Sequence, residues 1–183
     1  SFSLLMVDPT LLKFDAQLES AELLQPEKLE TVELGDDFKK IREEADKIEK
    51  EFGVRVLVGD EVKLSESNSW YIFKSTEDAQ NFNLDREMNR MHELRNVLSM
   101  YPEDFFSHFK SKDGKCGLRI AIVEELQSDS HESFSAGGVA YTTGGWYDIA
   151  ICGHQIVGTS LHHEIWHTVE NLVGNRHGAI DTL

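Results

Sequence analysis

The chain has 183 residues, 40% of them apolar and 28% charged, with three prolines and a formal net charge of −15. That length and balance suit one soluble globular domain with a core of its own, and exclude a disordered or fibrous chain. A surface so acidic, with Lys and Arg scattered along it, repels phosphate backbones and argues against a nucleic-acid partner.

Residues 1–35 carry short apolar clusters, Leu4-Leu5-Met6, Leu11-Leu12 and Leu23-Leu24, separated by acids and by Pro9 and Pro26. They read as an N-terminal arm beside a main domain over 36–183. The apolar run from Phe2 to Val7 is too short for a signal core or a membrane span. The opening at Ser1 points to a processed or trimmed chain.

The Gly35-Asp36-Asp37 step offers a helix start with acids in the first turn. Phe38, Ile41, Ala45, Ile48 and Phe52 then recur at helical spacing, so a surface helix with one buried stripe is expected, closed by Gly53. Val54 to Val58 reads as a strand, 61–69 as a polar loop, and Trp70 to Phe73 as a short strand. A long helix over 76–100 follows, capped by Ser75 or Thr76, with Leu84, Met88, Met91, Leu94, Val97 and Leu98 on its apolar face. Pro102 ends it and opens a short helix with proline at the first position.

Leu118 to Val123 is a strongly apolar strand, and 125–136 a polar surface loop. Val139–Thr142 and Trp146–Ile151 flank Gly144-Gly145, a two-residue hairpin signal. Cys116 and Cys152 each fall at a strand end, which leaves both a disulfide and two buried thiols open. A last helix is expected over Ser160 to Leu172, with a break at Gly174. Helices and strands in this order make an α/β (α+β) domain with a small twisted mixed sheet.

The last helix carries the chemistry. His163, Glu164 and His167 form H-E-x-x-H. Residues four apart share a helix face, so His163 and His167 can hold one metal ion, with Zn²⁺ the best match to two imidazoles plus oxygen. Glu164, one residue after the first ligand, is placed to act as general base to water and then as acid to the leaving amine. Leu161, Ile165, Trp166, Val169 and Leu172 supply the helix's apolar side, and the preceding hairpin supplies an edge strand for an extended peptide or protein substrate. His162 points about 100° away from His163 and is expected to join a hydrogen-bond network instead. His154 reads as a loop histidine, and Tyr141 and Tyr147 as core or cleft wall.

With this motif, the Phe52-Gly53-Val54-Arg55-Val56 strand, the Tyr101-Pro102-Glu103-Asp104-Phe105-Phe106 turn, the Leu118–Glu124 strand and the His162-His163 doublet, most of 36–183 resembles the zinc-binding metallopeptidases of bacterial secreted proteins and lipoproteins. The resemblance implies a single zincin-like domain, with a backing helix behind the sheet and an H-E-x-x-H active-site helix. It implies a zinc metalloendopeptidase acting outside the cytoplasm or attached to the cell envelope, with His163 and His167 as ligands and Glu164 as base. The pattern departs at the third ligand. A metzincin needs Gly three and His or Asp six residues after the second histidine, where this chain has Glu170 and Val173. Glu170, His177 and Asp181 are the remaining candidates, and the preferred expectation is that the third ligand lies beyond Leu183. A zincin scaffold that binds or adheres without turnover is the alternative reading.

Overall fold

The computed structural model describes residues 34–66, 71–128 and 137–177. Within them lie three α-helices and five strands: α1 (Asp36–Phe52), β1 (Arg55–Leu57), β2 (Tyr71–Ser75), α2 (Leu84–Leu98), β3 (Leu118–Ser128), β4 (Gly138–Thr143), β5 (Trp146–Cys152) and α3 (Ser160–His177). The expected arm over 1–35 lies outside the described residues except for Leu34 and Gly35.

The strands form one mixed sheet in the order β1-β3-β5-β4, with β2 paired to the far end of β3. β1 and β5 run parallel to β3, while β4 is antiparallel to β5 and forms an edge. The hairpin turn is as the glycine pair requires, with Gly144 and Gly145 at φ 55° and 90°, values that L side chains avoid. The chain is thus a mixed α/β protein of the α+β kind. No helix among the described residues is long and apolar enough to cross a membrane.

Side-chain alternation along the strands builds two cores. Val56, Leu118, Ile120, Ile122, Tyr147, Ile149 and Ile151 face all three helices and pack against Phe38, Ile41, Leu94, Leu98, Leu161 and Ile165. On the other face Leu57, Ala121, Val123, Ala150 and Cys152 pack with Val62, Phe73 and Leu126. The α1 stripe is buried at Phe38, Ile41, Ala45 and Ile48, and Gly53 ends that helix at φ 70°.

Four expectations need correction. The long helix begins at Leu84, not near 76. Asn83 Oδ1 accepts the Arg86 N–H at 3.0 Å, whereas Ser75 caps only a 3₁₀ turn over Thr76–Asp78. Pro102 opens no helix, because Asp104 takes φ 64° and the turn that follows is 3₁₀ over Phe105–Phe109. The polar stretch 61–69 is not simply loop: a 3₁₀ helix covers Gly59–Ser65. There Glu61 is buried because its Oε2 takes both Arg42 Nη1 at 2.7 Å and the Val58 N–H at 3.0 Å. Finally, β3 runs on to Ser128, since β2 pairs alongside its polar second half and satisfies that backbone.

Both cysteines are buried free thiols. Cys152 closes β5, while Cys116 precedes the parallel strand β3 and so lies at the opposite end of the sheet. Bridging demands Cα atoms within about 7 Å, which opposite ends of these strands do not offer. Burial pushes the Cys116 thiol up to about 11, so it stays protonated and poorly reactive at neutral pH.

Candidate metal centre

β5 delivers the chain to a single 3₁₀ turn, Gly153–Gln155, and α3 then begins at Ser160 and packs on β4 and β5. Leu161, Ile165 and Thr168 are fully buried on that side. Thr168 Oγ1 donates to the Glu164 carbonyl at 2.7 Å, closing its polarity within the helix. The outer side of the helix presents His163, Trp166 and Glu170 to solvent, with His167 half-exposed.

The two expected ligands come together. His163 Nε2 and His167 Nε2 lie 2.8 Å apart, with their rings perpendicular and centroids 4.4 Å apart. Two nitrogens bound at about 2.0–2.1 Å to one tetrahedral ion sit about 3.3 Å from each other. The observed separation is a hydrogen-bond distance about half an ångström shorter, so a small rotation of the rings brings the pair to the spacing zinc takes. The carboxylate of Glu170 stands 3.8 Å from His167 Nδ1, at the ring edge away from Nε2. At that distance it makes no hydrogen bond to the ring, and it does not reach the point where the two Nε2 atoms converge.

Glu164 is 8% exposed and lies on the flank of α3 that meets the start of β4. Its Cγ would be 3.1 Å from a Cβ placed on Gly138. Burial holds its carboxyl above the usual range, against the opposing pull of His163 and His167. A carboxyl raised in this way lies closer to the range in which proton transfer near neutral pH is effective.

The other candidates separate from this pair. α3 does not break at Gly174 but continues to His177, so the Cα of His177 is ten residues, about 15 Å, along the axis from His167. Asp181 lies outside the described residues. Among the described residues, no three His, Cys, Asp or Glu side chains gather closely enough to hold a metal ion. His162 Nδ1 is 2.8 Å from the Tyr101 hydroxyl, and the two rings are tilted by 31° with centroids 5.6 Å apart. It joins the hydrogen-bond contact expected of it. Tyr101→Phe is therefore predicted to cost about 0.5–1.5 kcal/mol in urea unfolding without changing zinc affinity. A tenfold loss of zinc binding in that variant would place His162 in the metal site. His154 is exposed on the 3₁₀ turn, and Tyr141 and Tyr147 are held by hydrogen bonds to the Ser65 carbonyl and the Asn175 amide.

A depression of about 260 Å³ opens at the other end of the sheet, lined by Glu49, Arg55, Lys110, Lys115, Cys116 and Trp146 among others, and by no residue of α3. It does not coincide with the histidine pair. What sequence reading passed over near the site is the Gly137-Gly138 doublet at the start of β4. Two adjacent glycines at the start of a strand signal a close backbone approach, but not the residue approached. No protein-family model matches the chain, and neither a curated protein nor a solved structure matches it.

Proposed function

We propose that this chain is a zinc-dependent peptidase of zincin plan that cleaves peptide or protein substrates outside the cytoplasm. The observation that carries the reading is the convergence of His163 Nε2 and His167 Nε2, at 2.8 Å, one residue and one turn from a nearly buried Glu164. The strand β4, antiparallel to β5, set against α3 and at the edge of the sheet among the described residues, supports it as a place for an extended substrate to add alongside. The reading is supported further by α2, packed on the same face of the sheet as α3, and by the place of α3 soon after the edge hairpin.

His163 and His167 would hold the ion. Zinc, when bound, supplies Lewis acidity toward a scissile carbonyl and brings the pKa of water to about 7. Glu164 accepts the proton of the attacking water on its carboxylate and returns it to the departing amine nitrogen. Its burial keeps bulk water from competing for that proton.

The test is metal content together with hydrolysis. Protein dialysed against buffered zinc should retain one equivalent by elemental analysis and cleave an unstructured protein such as casein. His167→Ala should lose both, with zinc affinity falling at least about 100-fold, since losing a ligand should cost more than the 10–100-fold typical of losing a group that only orients one. Purified protein that takes up no zinc would end the reading. One observation favours a second reading, a zincin scaffold that binds or adheres without turnover: the described residues bring only two metal donors together. Stoichiometric zinc with no cleavage of any peptide in a broad library would select it.

A further inference from the structure

We infer that Gly138 is a positioning residue for Glu164, a role that rests on the peptidase reading above. Gly138 is the first residue of the edge strand, paired with Ile151 of β5. A Cβ built there would meet Ile151 Cδ1 at 2.9 Å, Glu164 Cγ at 3.1 Å and the Ala150 carbonyl oxygen at 3.2 Å. Its neighbour Gly137 is similarly close, its Cβ falling 3.1 Å from Gln155 Cγ, while its carbonyl accepts the Cys152 N–H at 2.9 Å. The two glycines therefore seat the strand directly on the chain that leads into α3.

Neither glycine has a positive φ, so the demand is for space and not for a left-handed backbone. An alanine at 138 can adopt the same backbone, which makes the substitution a steric probe. Of the three atoms it would meet, the Ala150 oxygen belongs to the sheet backbone and cannot retreat. Ile151 is fully buried and packed in the core on the helix side. Glu164, still 8% exposed, is the group with room to yield. Added volume at 138 thus transfers to the stem of the general base. The bare Cα lets the edge strand close over that stem, restricting its rotamers and so the reach of a carboxylate carried on the same helix as His163 and His167.

The experiment is a stability cycle on metal-free protein with kinetics on the zinc-loaded protein. Gly138→Ala alone should lower Tm by about 3–10 °C, the usual range for overpacking in a protein of this size. In a Glu164→Ala background, where Cγ is gone, the same substitution should cost less than half as much. Equal losses in the two backgrounds would overturn the contact. In kinetics, Gly138→Ala should lower kcat about tenfold, the effect of displacing a catalytic group by a fraction of an ångström, with KM and zinc stoichiometry within twofold. An unchanged kcat, or a loss entirely in KM, would overturn the positioning role. Should Gly138→Ala fail to fold, Gly138→Ala/Ile151→Val removes the 2.9 Å contact and is compared with Ile151→Val on the same terms. A parent protein without zinc or hydrolysis defeats the peptidase reading whatever the cycle shows. Additive losses in an active parent defeat only the inference.

Discussion

Glu164→Gln is expected to keep its zinc and lose about 10²–10⁴-fold in kcat, the range for removal of a positioned general base. The amide preserves the shape of a side chain that is 8% exposed, so packing against Gly138 should survive and Tm should move little. It removes the proton acceptor alone. The histidines are untouched, and their nitrogens still converge at 2.8 Å. KM should stay within a few-fold, because an interaction made only in the transition state lowers kcat and kcat/KM equally. The measurement is hydrolysis of a fluorogenic peptide at saturating substrate, with zinc counted on the same sample. Full activity with one zinc bound would remove Glu164 from the mechanism. Loss of zinc along with activity would instead make it a structural support of the site.

The second large effect lies away from the histidines, in the sheet. Arg119 and Asp148 are register partners on β3 and β5, each 1% exposed, joined by Nε–Oδ1 and Nη2–Oδ2 contacts of 2.6 and 3.1 Å. The Trp146 ring lies over the guanidinium at 4.8 Å. Removing Asp148 takes the bidentate carboxylate away from a guanidinium held inside the sheet, a loss of about 3–5 kcal/mol. Asp148→Ala should therefore drop Tm by about 10 °C or more for a chain of this length, with a matching fall in the urea midpoint. Replacing both residues, as in Arg119→Met/Asp148→Leu, should recover most of that loss, since an apolar pair of similar volume puts no charge inside the sheet. If Asp148→Ala costs under about 1 kcal/mol, water reaches Arg119 and the pair is not sealed. The ordering matters for function as well: β5 leads straight into the turn before α3, so loosening it should also weaken zinc retention.

Much of the architecture was legible along the chain because the relevant forces are local. The α1 stripe, the left-handed Gly53 and the Gly144-Gly145 hairpin follow from periodicity and glycine geometry, which neighbours within four residues decide. The histidine pair was legible for the same reason: an i, i+4 spacing on one helix is a local fact, and the rings do meet. The misread boundaries have one cause in common. Asn83 displaced Ser75 as the helix cap, Asp104 turned the chain after Pro102, and Glu61 was drawn inside by Arg42. Each outcome was settled by a competitor that periodicity does not rank.

By itself, the sequence determined the α+β class and the late helix on which His163, Glu164 and His167 fall at one-turn spacing. Those are consequences of residue type and of 3.6 residues per turn. Only the tertiary structure decided that β4 is an antiparallel edge set over Glu164, and that His162 is taken by Tyr101. It also decided that Arg119 and Asp148 seal each other inside the sheet. These are contacts between residues up to 61 positions apart, fixed by how the strands register and by which group can yield when two meet, and neither is written in the spacing of one segment.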